Sequence, residues 1–122
     1  METEETVMAL AALAQPTRLE VFRLLVRHEP EGLAAGEIAK SLTVPQNTMS
    51  SHLAVLSRAR LVSAKRVSRS IIYRAELSHL RAVMLFMLRD CCDGRPEICA
   101  PLIADLAPCC TPSSKKRSHA KL

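Results

Sequence analysis

Residues 35–59 read AGEIAKSLTVPQNTMSSHLAVLSRA, and their pattern decides the fold. Ile38, Ala39 and Leu42 recur at the spacing of one helix face, which predicts a short helix over about 35–42. Thr43-Val44-Pro45 interrupts it only briefly, and Pro45 lies where a helix start tolerates proline. A second helix is predicted over roughly 46–59, with Met49, Leu53 and Leu56 on its core side. The other side shows Gln46, Asn47, Thr48, Ser50, Ser51 and His52. Two helices joined by so short a turn form a helix-turn-helix pattern.

Toward the N-terminus, Val7, Leu10, Ala11 and Ala14 predict a helix over about 3–13, ended by Pro16. Thr17 is a plausible cap for a helix over about 17–28, with Leu19, Phe22, Leu25 and Val26 as its buried face. Glu29-Pro30-Glu31-Gly32 is a turn signal. Toward the C-terminus, Leu61-Val62 and Ser70-Ile71-Ile72-Tyr73 are short β-rich runs around the polar, basic stretch 63–69. They predict a β-hairpin with a positively charged tip.

The last regular helix is predicted from Leu77 to about Arg89. Leu80, Val83, Met84, Met87 and Leu88 share one broad face, while Leu85 and Phe86 lie off it. A helix apolar on more than one side needs cover on more than one side, and a second copy of the chain is the natural cover. Leu10 of the opening helix is expected to join that interface. The expected fold is mostly α with a small β-hairpin, a winged helix-turn-helix in the order α-α-α-α-β-β-α, assembled as a homodimer. One domain is expected over residues 1–108, with one or two helical turns in 101–106 and a basic, disordered tail over 109–122.

The chain has 122 residues, enough for one compact core, and 48% of them are apolar. Only 2% are aromatic, which argues against the stacking platforms of single-strand binders. Three glycines form neither of the common phosphate loops. No apolar run approaches the ~18 residues of a membrane span, so no membrane partner is expected. The opening METEETV is acidic and does not begin a signal peptide, so a cytoplasmic location is expected. Five cysteines cannot all pair internally, and a reducing compartment predicts free thiols. No nucleophile–base arrangement is visible, and an enzyme is not expected.

Charge is distributed unevenly. Residues 1–37 carry seven acidic and three basic side chains, whereas 38–75 carry seven basic and no acidic ones. A 38-residue stretch without a carboxylate is a candidate footprint for a polyanion. In a helix-turn-helix the second helix enters the major groove of duplex DNA. Gln46 and Asn47 can offer paired donors and acceptors to adenine, and Thr48, Ser50, Ser51 and His52 supply less selective partners. Arg58, Lys65, Arg66 and Arg69 are expected to meet phosphates, which positions a protein and makes its affinity salt-dependent.

The sequence at this point resembles the ArsR-type (ArsR/SmtB) family of winged-helix, metal-responsive repressors. The likeness is carried by ALAALAQPTRL at 9–19, SSHLAVL at 50–56, Leu61-Val62 and Arg69-Ser70-Ile71-Ile72-Tyr73, spanning roughly residues 7–90. It implies a homodimer joined through its first and last helices, binding an operator of two-fold symmetry and releasing it when an inducing ion binds. Two departures stand out. Arg60 occupies a place where the family often has glycine before the first wing strand, and Ser68 does so at the wing tip. Both predict a wing turn wider than usual.

No cysteine precedes Cys91, so an arsenic site at the start of the DNA-reading region is absent. His79 is the only histidine of the last helix, so a zinc site there is also not expected. Cys91-Cys92 and Cys99 remain, within DCCDGRPEICAPL at 90–102, which resembles the Cys-Cys…Cys site of arsenic-responsive members. Trivalent arsenic and antimony favour three thiolates, and soft ligands select soft ions. No cofactor is expected in the repressing state, with As(III) or Sb(III) as inducer and arsenic-resistance genes as the derepressed target. Cys109 and Cys110 are an alternative source of the third sulfur, a weaker site, or a place to receive the ion from an arsenic metallochaperone. Two rival readings are a thiol-redox repressor of the same fold and a small soft-metal carrier.

Overall fold

The computed structural model describes residues 1–89, 97, 100–102 and 104–106. The chain forms two units, Met1–Phe86 and Met87–Leu122. In the first, the order is α1 (Thr3–Leu13), α2 (Pro16–Arg27), β1 (Leu33–Ala34), α3 (Ala35–Leu42), α4 (Gln46–Arg58), β2 (Val62–Val67) and β3 (Ser70–Ala75). Helix α5 follows over Leu77–Arg89. Residues 97, 100–102 and 104–106 of the second unit are helical and exposed, in line with the helical turns expected in 101–106.

The strands form one antiparallel sheet in the order β1-β3-β2. The sequence predicted two strands, and the structure adds β1, which pairs Leu33 with Tyr73 and Ala34 with Ile72. Two residues are too few to show a period, so this strand left no pattern to read. The hairpin also differs from expectation. Stretch 63–69 is not an open basic loop, because β2 runs through Lys65 and Arg66 to Val67, opposite Ser70. The turn is Ser68-Arg69 alone, so the wider wing turn is overturned. Ser68 has φ 60° and Arg60 φ 66°, so both replaced glycines keep the left-handed backbone. Positive φ at the first turn residue only is the sign pattern of a type II′ hairpin turn, whose twist suits the flanking strands.

The core is built where the helix-turn-helix meets α2 and the base of the wing. Val21, Phe22 and Leu25 of α2, Ile38 of α3, and Met49, Leu53 and Leu56 of α4 are buried together with Leu61, Val62 and Val83. Two predicted faces are corrected. In α2, Val21 and Leu24 are buried beside Phe22 and Leu25, while Leu19 and Val26 are exposed. In α1, the buried residues are Thr6, Ala9 and Ala12, and the larger Val7, Met8 and Leu10 face outward. Small side chains let α1 approach the body closely, which periodicity alone does not reveal.

The capping of α2 also differs from expectation. Gln15, not Thr17, caps the helix, its Oε1 accepting the Arg18 backbone N–H at 2.8 Å, with Pro16 in the first turn. At the other end of α2, the turn into β1 passes through Gly32 at φ 77°. A Cβ there would fall on the carbonyl oxygen of Tyr73, so glycine is required by both backbone and space.

Candidate nucleic-acid interface

Helix α4 turns three adjacent stripes outward, Gln46 with Ser50, Asn47 with Ser51, and Thr48 with His52, each pair one turn apart. All are exposed except His52, which is half-buried. Met49, Leu53 and Leu56 anchor the opposite side in the core, so the polar stripes cannot rotate inward without exposing those anchors. At the start of the helix, Asn47 Oδ1 accepts the Thr48 N–H at 2.9 Å, which satisfies one free backbone donor. Ser51 Oγ donates weakly to the Asn47 carbonyl at 3.5 Å.

One groove brings α3, α4 and the wing together. Lys40, Gln46, Ser50, Arg69, Ile71 and Tyr73 line it, with one carboxylate at its edge, Glu37, whose Oε1 accepts the Ala34 N–H at 3.3 Å. Arg69 of the wing turn therefore shares a surface with two residues of α4's polar side. Lys40 and Tyr73 were not singled out from the sequence, although Lys40 belongs to the acid-free stretch. Gly36 opens this groove, since a Cβ there would come within 3.2 Å of Gln46 Nε2.

The wing cations do not act as one cluster. Alternation along β2 places Arg66 on the face of Tyr73 and Ile71, its partner across the ladder. Lys65 lies on the other face, opposite Ile72, in a separate hollow with Pro30, Glu31, Ser63, Val67 and Arg74. Arg58 is exposed in the last turn of α4, where a cation suits the helix dipole whatever else it does.

Of the seven cations in 38–75, two are matched by carboxylates from the acidic N-terminal third. Arg74 donates to Glu29 at 2.7 Å, and that bond, with Glu29's charge, raises the arginine's pKa. Arg60 lies 4.0 Å from Glu5. Lys40, Arg58, Lys65, Arg66 and Arg69 have no ion pair among the described residues. A polar helix face flanked by unneutralised cations can meet a polyanion's phosphates while offering paired donors and acceptors to its bases.

A family model described as "Helix-turn-helix domain" matches residues 13–63. The structure of an ArsR-like transcriptional regulator from Rhodococcus sp. RHA1 is similar with a TM-score of 0.67 and 27% identity, over 80% of this chain and 89% of that one. The transcriptional repressor BigR of Xylella fastidiosa is 30% identical, with a TM-score of 0.55, over 70% of this chain and 86% of BigR. The transcriptional activator HlyU of Vibrio cholerae is 28% identical over 90 residues, 74% of this chain and 81% of HlyU. This chain belongs to the ArsR/SmtB family of winged-helix transcriptional regulators.

The likeness read from 9–19, 50–56 and the wing strands is thus a family relationship, and the protein is a regulator rather than an enzyme. This ArsR/SmtB-type chain spans about half the length of two mycobacterial relatives, KmtR and SmtB, 54% in each case. No described helix is long and apolar enough to cross a membrane.

The apolar residues expected at a subunit seam divide. Leu10 on α1 and Met87 on α5 are exposed, and Leu80, Met84 and Leu88 are half-buried. Val83 is 1% exposed and belongs to the protomer's own core, where it fills the inner side of α5. Cys91, Cys92, Cys99, Cys109 and Cys110 of this regulator lie outside the described residues. Among the described residues no three His, Cys, Asp or Glu side chains converge on a metal-sized site.

Proposed function

We propose that the protein is a repressor that binds operator DNA as a homodimer and leaves it when trivalent arsenic or antimony is bound by Cys91, Cys92 and Cys99. The polar face of α4 enters the major groove, with Gln46 and Asn47 as the principal base readers. Arg66 and Arg69 hold the flanking backbone. The observation that carries the reading is the groove shared by Gln46, Ser50, Lys40 and Arg69, whose two cations have no ion pair among the described residues.

The homodimer is supported by the outward apolar residues of α1 and by a relative from Mycobacterium bovis whose structure is described as a homodimeric winged helix-turn-helix DNA-binding domain. The ion specificity is supported by the donor set alone: a vicinal thiol pair and a third thiol seven residues later offer the three soft ligands that a trivalent metalloid prefers. Each thiol passes its proton to a hydroxide of As(OH)3 or Sb(OH)3, which leaves as water, so three bonds to sulfur replace three bonds to oxygen with no net release of protons. Ion binding next to a dimer seam would rotate the two reading heads, whose half-sites lie about 34–36 Å apart or a multiple of it. Coupling of ~1–3 kcal/mol would lower operator affinity roughly 5- to 150-fold. The genes released are then those of arsenic resistance.

The test is a gel-shift on the DNA upstream of the protein's own coding region, titrated in parallel with arsenite, zinc and peroxide. Arsenite releases the wild type, and the triple variant Cys91→Ser, Cys92→Ser, Cys99→Ser stays bound. A triple variant that still leaves the DNA on arsenite addition overturns the assignment. Release by peroxide alone, reversed by reductant, selects the redox reading instead. That alternative has support from the odd cysteine count and from HlyU, whose structure has been described specifically in a reduced form.

A further inference from the structure

The two-residue joint between α1 and α2 holds an unusual arginine. Arg18 sits in the first turn of α2, where the helix dipole disfavours a cation, and that turn contains no acidic residue to offset it. Arg18 has no carboxylate partner among the described residues. Its Nε instead donates to the Ala12 carbonyl at 2.6 Å. Ala12 lies in the last turn of α1, whose carbonyls lack helical partners and whose own sequence supplies no basic residue there. The Arg18 backbone N–H is already taken by Gln15. The arginine therefore makes sense as a group belonging to α1, placed on α2.

We propose that Arg18 is a positioning residue that latches α1 to the DNA-reading body and so sets the direction of the α1 face carrying Val7, Met8 and Leu10. Besides the latch, α1 is held by the buried Thr6, Ala9 and Ala12, by Leu13 against the core and by the exposed Arg60–Glu5 contact at 4.0 Å, and none of these ties down its C-terminal carbonyls at the Ala14-Gln15 joint. A charged donor on a helix C-terminal carbonyl is a strong bond and satisfies the helix dipole together. The consequence for DNA rests on the homodimer reading: the angle of α1 fixes the angle between two heads, and thus which half-site spacing they span.

The experiment is hydrogen exchange read by mass spectrometry on the full chain, comparing wild type, Arg18→Met and Arg18→Lys. Methionine keeps an apolar stem and removes the donor, whereas lysine keeps a charge and a shorter reach. Samples are compared at concentrations where sedimentation places all three in the same oligomeric state. The expected result is about tenfold faster exchange of the α1 amides in Arg18→Met, with α4, β2 and β3 unchanged and Arg18→Lys intermediate. Unaltered α1 exchange, or equal acceleration in every segment, overturns the latch. Should Arg18→Met fail to fold, Arg18→Lys carries the same comparison. Sedimentation equilibrium supplies the second readout, a dimer dissociation constant about tenfold weaker in Arg18→Met. Faster α1 exchange with an unchanged dimer constant removes the latch's role in assembly. A monomeric wild type refutes the homodimer reading and leaves the exchange result to decide the latch by itself.

Discussion

Lys65 and Arg66 are neighbours in the chain and stand on opposite faces of the wing, Lys65 across from Ile72 and Arg66 across from Ile71. Of the two, Arg66 shares the face of Ile71 and Tyr73, which line the groove of Gln46 and Ser50, while Lys65 lines a separate hollow with Glu31. Arg66→Ala and Arg69→Ala are therefore expected to weaken duplex binding and to flatten the slope of log affinity against log salt by ~0.9 each. Lys65→Ala is expected to change both less. Fluorescence anisotropy between 50 and 200 mM salt, as in ordinary counterion-release measurements, reads the difference. Equal effects of all three substitutions would refute the facial division.

Ser68 and Arg60 hold left-handed backbone with side chains attached. That conformation costs an L-residue roughly 1–2 kcal/mol. Ser68→Gly and Arg60→Gly are expected to raise stability by about 1 kcal/mol each, several degrees in thermal midpoint for a domain of this size. Losing the contact of Arg60 with Glu5 matters little, because it spans 4.0 Å between exposed side chains. Thermal unfolding followed by circular dichroism measures the gain.

Gly32→Ala is expected to go the other way. The new Cβ meets the Tyr73 carbonyl and the Arg74 side chain, and φ is 77°. A loss of ~1–3 kcal/mol is expected from backbone strain, before any displacement of β1 from β3. Urea unfolding at constant slope gives the value.

Gly36→Ala tests Gln46 as a base reader without changing it. The added methyl comes within 3.2 Å of Gln46 Nε2, so the amide must move while α3 gains a better helix former. The variant is expected to be at least as stable as wild type and to show altered base preference at the positions nearest the start of α4. Selection from a random duplex library, run on both proteins, reveals it. Identical preferences would place Gln46 away from the bases.

Glu5 supplies the pH dependence that the structure supports. Its carboxylate accepts the Glu2 backbone N–H at 2.9 Å in a reciprocal cap, and that bond is the main cause of a pKa below the ordinary glutamate range. Since the folded value is the lower one, its contribution is present above the unfolded value and fades as pH falls through the folded one. Fraying at the start of α1 is expected to increase over that acidic window, with Glu5→Ala, which removes the acceptor, frayed already at neutral pH and insensitive to titration at this position. Amide exchange of the first α1 turn reports it.

Much of this architecture is legible in the amino-acid sequence. Helices over 3–13, 35–42 and 77–89 coincide with α1, α3 and α5, because Pro16, Pro45 and the apolar spacing mark their limits. Met49, Leu53 and Leu56 lie in the core as their period required. What escaped was information that is not periodic. Lys65 and Arg66 looked like a loop because polar residues dominate, and only the ladder shows that they belong to a strand and point apart. The inner face of α1 was missed because close approach selected Thr6, Ala9 and Ala12 over larger neighbours. Lys40 joined the interface groove through the packing of α3 on α4, a relation between elements that no single stretch encodes. The cysteines expected to sense the ion fall outside the described residues, so their case stays with thiol chemistry and spacing.

In the proposed homodimer, outward-facing Val7, Met8 and Leu10 bear on dosage. While copies are scarce, paired readers accumulate as the square of chain concentration, so a twofold rise in synthesis becomes a roughly fourfold rise in assembled pairs. A promoter watched by such a pair would switch steeply with supply alone.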